Sequence, residues 1–205
     1  MAIVPAVAEN LRSHMLFPPA SVRLLGNIET VRRLLLFRHA KAQRPKPGIE
    51  DRARVLIERG RKDSVRIGAY LATNGLVPDR VLISPSARTQ ETWKFTATAF
   101  SSTPAAVTAE QLYEATPPAI IALIKEAPTE THTLLVIGHN PELHELALML
   151  VASGNPDARK LLRDKLPTAG LVIMDFAFDD WRKLHRQSGR LERVVTPKLL
   201  EERTL

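Results

Sequence analysis

From Arg32 onward, short apolar runs alternate with longer stretches of helical period. No other feature constrains the fold as strongly, because a strand–helix–strand rhythm permits few architectures. Buried-strand runs are "RRLLLF" at 32–37, "RVLI" at 80–83, "AAVT" at 105–108, "TLLVI" at 133–137 and "GLVIMDF" at 170–176, the last strand expected. Helices are expected over 58–75, with Gly75 as the stop, over 87–100 after a Ser86 cap, over 117–127 with proline at its start, and over 141–152. The pattern predicts an α/β fold, a three-layer α/β/α sandwich around a mostly parallel sheet. With 205 residues, 44% of them apolar, the chain suits one domain with a real core. We expect that domain over 31–205, after a loosely ordered extension over 1–30 for which Met15 would be an alternative start.

In a sheet of this kind, ligands bind beyond the carboxyl ends of the strands. Arg38 and His39 follow the first run, "SPSART" with Arg88 follows the second, and "GHNP" with His139 follows the fourth. Taken singly, each has an ordinary reading as a solvated arginine or a turn histidine. Together they put two guanidiniums and two imidazoles on one edge. Guanidinium forks hold tetrahedral oxyanions. Two imidazoles can supply one nucleophile and one further donor, and phosphoryl transfer depends on such positioning and charge stabilisation.

Several alternatives fall away. The chain has no cysteine, which removes disulfides, thiolate metal sites and a Cys nucleophile. His139 and His144 are five apart, so they do not share a helical face, and no phosphate-cradling GxxxxGK occurs. His14, His132 and His185 have no partner pattern and read as surface residues. A formal charge of +7 draws anions without choosing among them, and its basic residues form no single nucleic-acid-binding arm. No apolar run approaches the roughly 20 residues of a membrane helix.

The segments "FRHAKA", "SPSARTQET" and "GHNPEL", in that order, resemble the histidine phosphatase superfamily. Its SixA-like phosphohistidine phosphatase branch is the nearest, through "DRARVLIERGRKD", "LYEA" and "LPTAGLVIMDF" as well. The resemblance covers 31–197 and implies a phosphoglycerate mutase-like fold. It further implies that His39 is the nucleophile, that Arg38 and Arg88 bind phosphoryl oxygens, that His139 donates to the same group, and that no metal or cofactor is needed. The larger superfamily begins "RHG" where this chain has Ala40, a change that SixA-like relatives tolerate. Glu114 in "LYEATPP" is the candidate general acid, with a surface carboxylate as its ordinary reading. The glycine-rich segment that follows the acid in mutases is missing.

The expectation is thus a metal-independent phosphatase working through a phosphohistidine on His39. Its partner would be a phosphorylated signalling protein, such as a histidine-phosphotransfer domain, or a small phosphorylated molecule. Phosphate or sulfate would bind in the pocket, nucleic acid and membrane would not be partners, and the location would be cytoplasmic. The alternatives are a mutase-like phosphatase acting on sugar phosphates or other phosphomonoesters, and a non-catalytic anion-binding protein.

Overall fold

The structure, a computed structural model, describes residues 32–202. The extension expected over 1–30, with His14 and Met15, lies outside the described residues. The strands are β1 (Arg32–Arg38), β2 (Arg80–Ile83), β3 (Ala105–Thr108), β4 (Thr133–Gly138), β5 (Val151–Gly154), β6 (Leu171–Phe176) and β7 (Gly189–Val195). They form one sheet in the order β3-β2-β4-β1-β6-β7-β5. Every neighbouring pair is parallel except those made by β6, which runs against β1 and β7.

The helices are α1 (Glu58–Thr73), α2 (Ala87–Ala97), α3 (Pro117–Lys125), α4 (Glu142–Leu150), α5 (Pro156–Asp164) and α6 (Pro197–Glu201). Alternate residues of the central strands feed two separate cores. Leu34, Leu36, Leu134 and Val136 pack with Ile120 and Ile124 of α3 and with Leu143 and Leu146 of α4. Leu35, Phe37, Leu135 and Ile137 pack with Ile67 and Leu71 of α1 and with Trp93 of α2. Burial on both faces explains why 34–37 and 134–137 are unbroken apolar runs rather than alternating ones. The three-layer sandwich read from the sequence is the observed fold.

Helix ends follow local chemistry. After α1, Gly75 adopts φ +65°, with its N–H on the Ala72 carbonyl and the Leu76 N–H on the Leu71 carbonyl. That pair of bonds is a Schellman stop, and Leu71 and Leu76 are both buried. Ser86 stands at the cap of α2, but its hydroxyl bonds the Thr89 hydroxyl at 2.8 Å instead of a backbone N–H. β3 is an edge strand whose four residues are all exposed, consistent with its weak apolar signal.

The carboxyl half departs from the expected pattern. The helix expected over 141–152 ends at Leu150, and Val151–Gly154 becomes β5. Val151 and Ala152 extend the apolar run past the helix, but Val151, Ser153 and Gly154 pair with β7, with Ala152 at a register shift. "GNPD" instead closes β5 at Gly154 and starts the next helix: Asn155 accepts the Ala158 N–H, and Pro156 opens α5. β6 is not the last strand. β7 lies partly within "RKLHRQSGRLER", a stretch that reads as a solvated turn because charged Arg190, Glu192 and Arg193 surround buried Leu191.

One close approach ties the fold to the region after β1. A Cβ added at Gly60 would lie 2.1 Å from the Lys41 carbonyl oxygen, so α1 reaches this backbone only through glycine. The same carbonyl accepts the Ile57 N–H at 3.0 Å. Gly60→Ala should therefore cost about 1–3 kcal/mol of stability, the usual penalty for overpacking. Urea unfolding of the variant beside the parent measures it.

Candidate active site

β1 and β4 are parallel neighbours with Arg38 opposite Gly138. The next residues, His39 and His139, therefore leave the sheet side by side, with ring centroids 5.3 Å apart. Backbone bonds hold this exit: the His39 N–H donates to the Gly138 carbonyl at 3.0 Å, and the Ala169 N–H donates to the His39 carbonyl at 3.2 Å. On the other side of β4, Ser84 follows β2 and donates its own N–H to the Ile137 carbonyl. Thr92 of α2 accepts the Ala40 N–H and donates to the Arg88 carbonyl, joining the helix that carries Arg88 to the strand that carries His39.

The His39 ring has a defined proton. Its Nδ1 lies 2.8 Å from the Ala40 carbonyl oxygen, which can only accept, so Nδ1 carries the hydrogen. The lone pair is then on Nε2, which makes no hydrogen bond among the described residues. Burial lowers the His39 pKa from 6.5 to about 3; the Ala40 contact opposes that shift, while His139, Arg88 and Arg38 add to it. His139 is lowered to about 4, by burial first and then by Arg88, against an upward pull from Asp51. Both imidazoles are neutral at pH 7, and a neutral imidazole is the nucleophilic form.

Around these rings sit donors without acceptors. Arg38 donates from Nη1 to the Leu166 carbonyl at 2.8 Å, and its Nε is buried without a partner. Arg88, only 5% exposed, donates from Nη1 to the Asp51 carbonyl at 2.7 Å and pairs through Nη2 with the Asp51 carboxylate at 2.9 Å. Its Nε is likewise unpartnered, as is His139 Nδ1. Ser84 Oγ lies 2.7 Å from His139 Nε2 and has no other bond. The assignment in which Ser84 donates into Nε2 puts the ring proton on Nδ1, a third donor awaiting an acceptor. A buried donor left unmade costs roughly 1–3 kcal/mol, so this cluster calls for an anion with several oxygens.

All four strand-end residues read from the sequence thus converge. Glu114 is exposed, adopts φ 55°, and hydrogen bonds to none of the four among the described residues. His144 is engaged elsewhere, with Nε2 on the Leu162 carbonyl. Among the described residues no cluster of three or more His, Cys, Asp or Glu could hold a metal ion, and no helix is long and apolar enough to cross a membrane. Sequence reasoning missed Asp51, Ser84, Thr92 and Tyr113 as parts of the site. Each lies inside or beside a segment that carries the family resemblance, and that position is the available signal.

No protein-family model matches the chain. An uncharacterized protein of Mycobacterium leprae is 33% identical over 165 residues, 78% of this chain and 99% of that one. Among solved structures, one from Agrobacterium tumefaciens, provisionally assigned as the phosphohistidine phosphatase SixA, is 28% identical with a TM-score of 0.66, covering 81% of this chain and 99% of the other. The protein histidine phosphatase SixA in complex with tungstate matches at a TM-score of 0.64 and 19% identity, over 82% of this chain and 99% of that one. The fold is that of a phosphatase. The chain belongs to the histidine phosphatase superfamily, and its sheet is of the SixA-like type.

The depressed imidazoles have a measurable consequence. The unfolded chain protonates these two histidines near 6.5, the folded chain only near 3 and 4. The unfolded state therefore binds more protons in that window, and stability falls as pH drops from 6.5 toward 4. The NMR signals of the His39 and His139 rings should stay fixed between about pH 8 and pH 5, whereas an unperturbed histidine titrates there. Titration of either ring near 6.5 would contradict the assignment.

Proposed function

We propose that the protein is a metal-independent phosphatase that hydrolyses phosphohistidine on a signalling protein through a phosphoryl intermediate on His39. The observation that carries this reading is the juxtaposition of a nucleophile-ready Nε2 on His39 with three orphaned donors, on Arg38, Arg88 and His139. Simple anion binding explains the donors but has no use for a neutral imidazole with its lone pair free. The tungstate complex of a SixA protein is in keeping with oxyanion binding by this fold. Such work belongs in the cytoplasm, where histidine-phosphotransfer domains operate.

The chemistry follows from the geometry. His39 Nε2 attacks phosphorus in line with the leaving nitrogen, and the new N–P bond forms as the old one breaks. Arg38, Arg88 and His139 Nδ1–H hold the phosphoryl oxygens as charge builds on them. The leaving imidazole departs neutral after its far ring nitrogen takes a proton from solvent. Water then attacks the phosphorus on His39, releasing inorganic phosphate and restoring the free ring.

The position of Glu114 favours this substrate over an ester. An alkoxide leaving group is strongly basic and needs a placed acid, whereas imidazole is protonated near neutral pH without one. An exposed Glu114 with no bond to the pocket is poorly suited to deliver a proton there. The competing reading is a mutase-like phosphatase for phosphomonoesters, with Glu114 as acid.

A substrate panel separates the two. His39→Ala should reduce turnover by at least about a thousandfold and remove any acid-labile phosphoenzyme, the usual scale for loss of a nucleophile. Glu114→Gln should leave hydrolysis of a phosphohistidine protein within about twofold of the parent, as expected of an exposed carboxylate outside the chemistry. A marked preference for esters that Glu114→Gln abolishes would overturn the substrate assignment. Failure to form a phosphoenzyme with any phosphoryl donor would overturn the enzyme reading.

A further inference from the structure

The residues between β1 and α1 leave the strand that carries His39 and return to it. Ala42 and Leu56 form an antiparallel bridge, and Gln43 donates its N–H to the Val55 carbonyl. Asp51 stands near the far end of this excursion, in a short helical turn, and its side chain is about half exposed. Despite that exposure it is fully engaged. Oδ2 accepts from Arg88 Nη2 at 2.9 Å and from the Tyr113 hydroxyl at 3.1 Å. Oδ1 accepts from Arg54 Nε at 2.9 Å and Nη2 at 2.5 Å, while the Asp51 backbone carbonyl takes Arg88 Nη1.

Asp51 therefore holds both terminal nitrogens of the Arg88 guanidinium from one side. Held there, Arg88 cannot rotate, and Nε stays unpartnered. The same carboxylate fixes Tyr113, whose ring meets His139 edge-on at a centroid distance of 5.7 Å. One side chain outside the strand ends thus positions two of the groups that frame the pocket, Arg88 directly and His139 through Tyr113. It also sets a negative charge on the guanidinium that a phosphoryl group would use.

We propose that Asp51 is the positioning residue of the phosphate clamp, and that its carboxylate weakens oxyanion binding while raising turnover. The inference rests on the phosphatase reading above. Its two effects have opposite signs, and that distinguishes it from a role in folding. A residue that only holds the loop down would, when replaced, weaken binding and turnover together. A positioning carboxylate that also repels the ligand gives tighter binding and slower chemistry when its charge is removed and its shape kept.

Tungstate and inorganic phosphate titrated calorimetrically into parent and Asp51→Asn, beside turnover of phosphoramidate, make the test. Asp51→Asn should bind tungstate roughly threefold to tenfold more tightly, because a charge opposing the anion is gone. Its kcat should fall roughly tenfold or more, because Arg88 and Tyr113 lose their alignment. Asp51→Glu restores the charge and should return tungstate affinity to the parent value. Tyr113→Phe removes one arm but not the charge, so it should slow turnover without tightening binding. Weaker or unchanged tungstate binding by Asp51→Asn, or an unchanged kcat, overturns the proposal. If the parent turns over and only the Asp51→Asn pattern fails, the positioning role alone is lost; a parent that binds tungstate but turns nothing over overturns the phosphatase reading and this role with it.

Discussion

The pairing of β1 with β4 is the constraint on which the rest of the site depends. Parallel neighbours lie about 4.8 Å apart, and their register sets which residues leave the sheet together. With Arg38 opposite Gly138, the two histidines emerge at nearly that spacing. A slip of one residue would turn each side chain of the strand to the other face. The two cores of this sandwich differ in their partners, so Leu35 and Phe37 belong against α1 and α2, and Leu34 and Leu36 against α3 and α4. Packing on both faces thus locks the register, and the register locks the pocket.

Electrostatics then decides what the pocket can do. Two arginines beside two half-buried histidines would be an unfavourable place for more positive charge, and the imidazoles respond by staying neutral. An oxyanion bound there would satisfy the buried donors on Arg38, Arg88 and His139. Asp51 offsets part of the cationic field. Burial pushes its carboxyl upward, yet Arg54, Arg88 and Tyr113 prevail and hold its pKa at about 2. The site is thus a balance of charges rather than a simple basic patch.

Much of this is legible in the order of the residues. β2 coincides with its apolar run, and β1, β4 and β6 differ by a single residue, because strands buried in a sheet centre must be apolar whatever surrounds them; exposed β3 also coincides with its run, but that reason does not extend to an edge strand. β7 is hidden because charged residues interrupt its apolar ones, and its strand character comes from pairing with β6 and β5. β5 is hidden because Val151 and Ala152 continue the apolar pattern of α4. Arg38, His39, Arg88 and His139 stand out because ligand-binding residues cluster where strands end. Ser84 and Asp51 do not, since a serine after a strand and an aspartate in a charged loop are ordinary until their partners are known.

The sequence by itself determined the class of fold, the central strands, and the four residues that meet at the sheet edge. Those follow from local period and from the position of each residue within its element. Only the tertiary structure decided the proton on His39, the orphaned donors, the tie between Ser84 and His139, and the hold of Asp51 on Arg88 and Tyr113. It also showed Glu114 exposed and at a positive φ. The physical reason is that hydrogen bonds and pKa values depend on atoms brought together from distant parts of the chain. Arg88 and Asp51 are 37 residues apart, and Ser84 and His139 are 55 apart, so no local pattern encodes their contact.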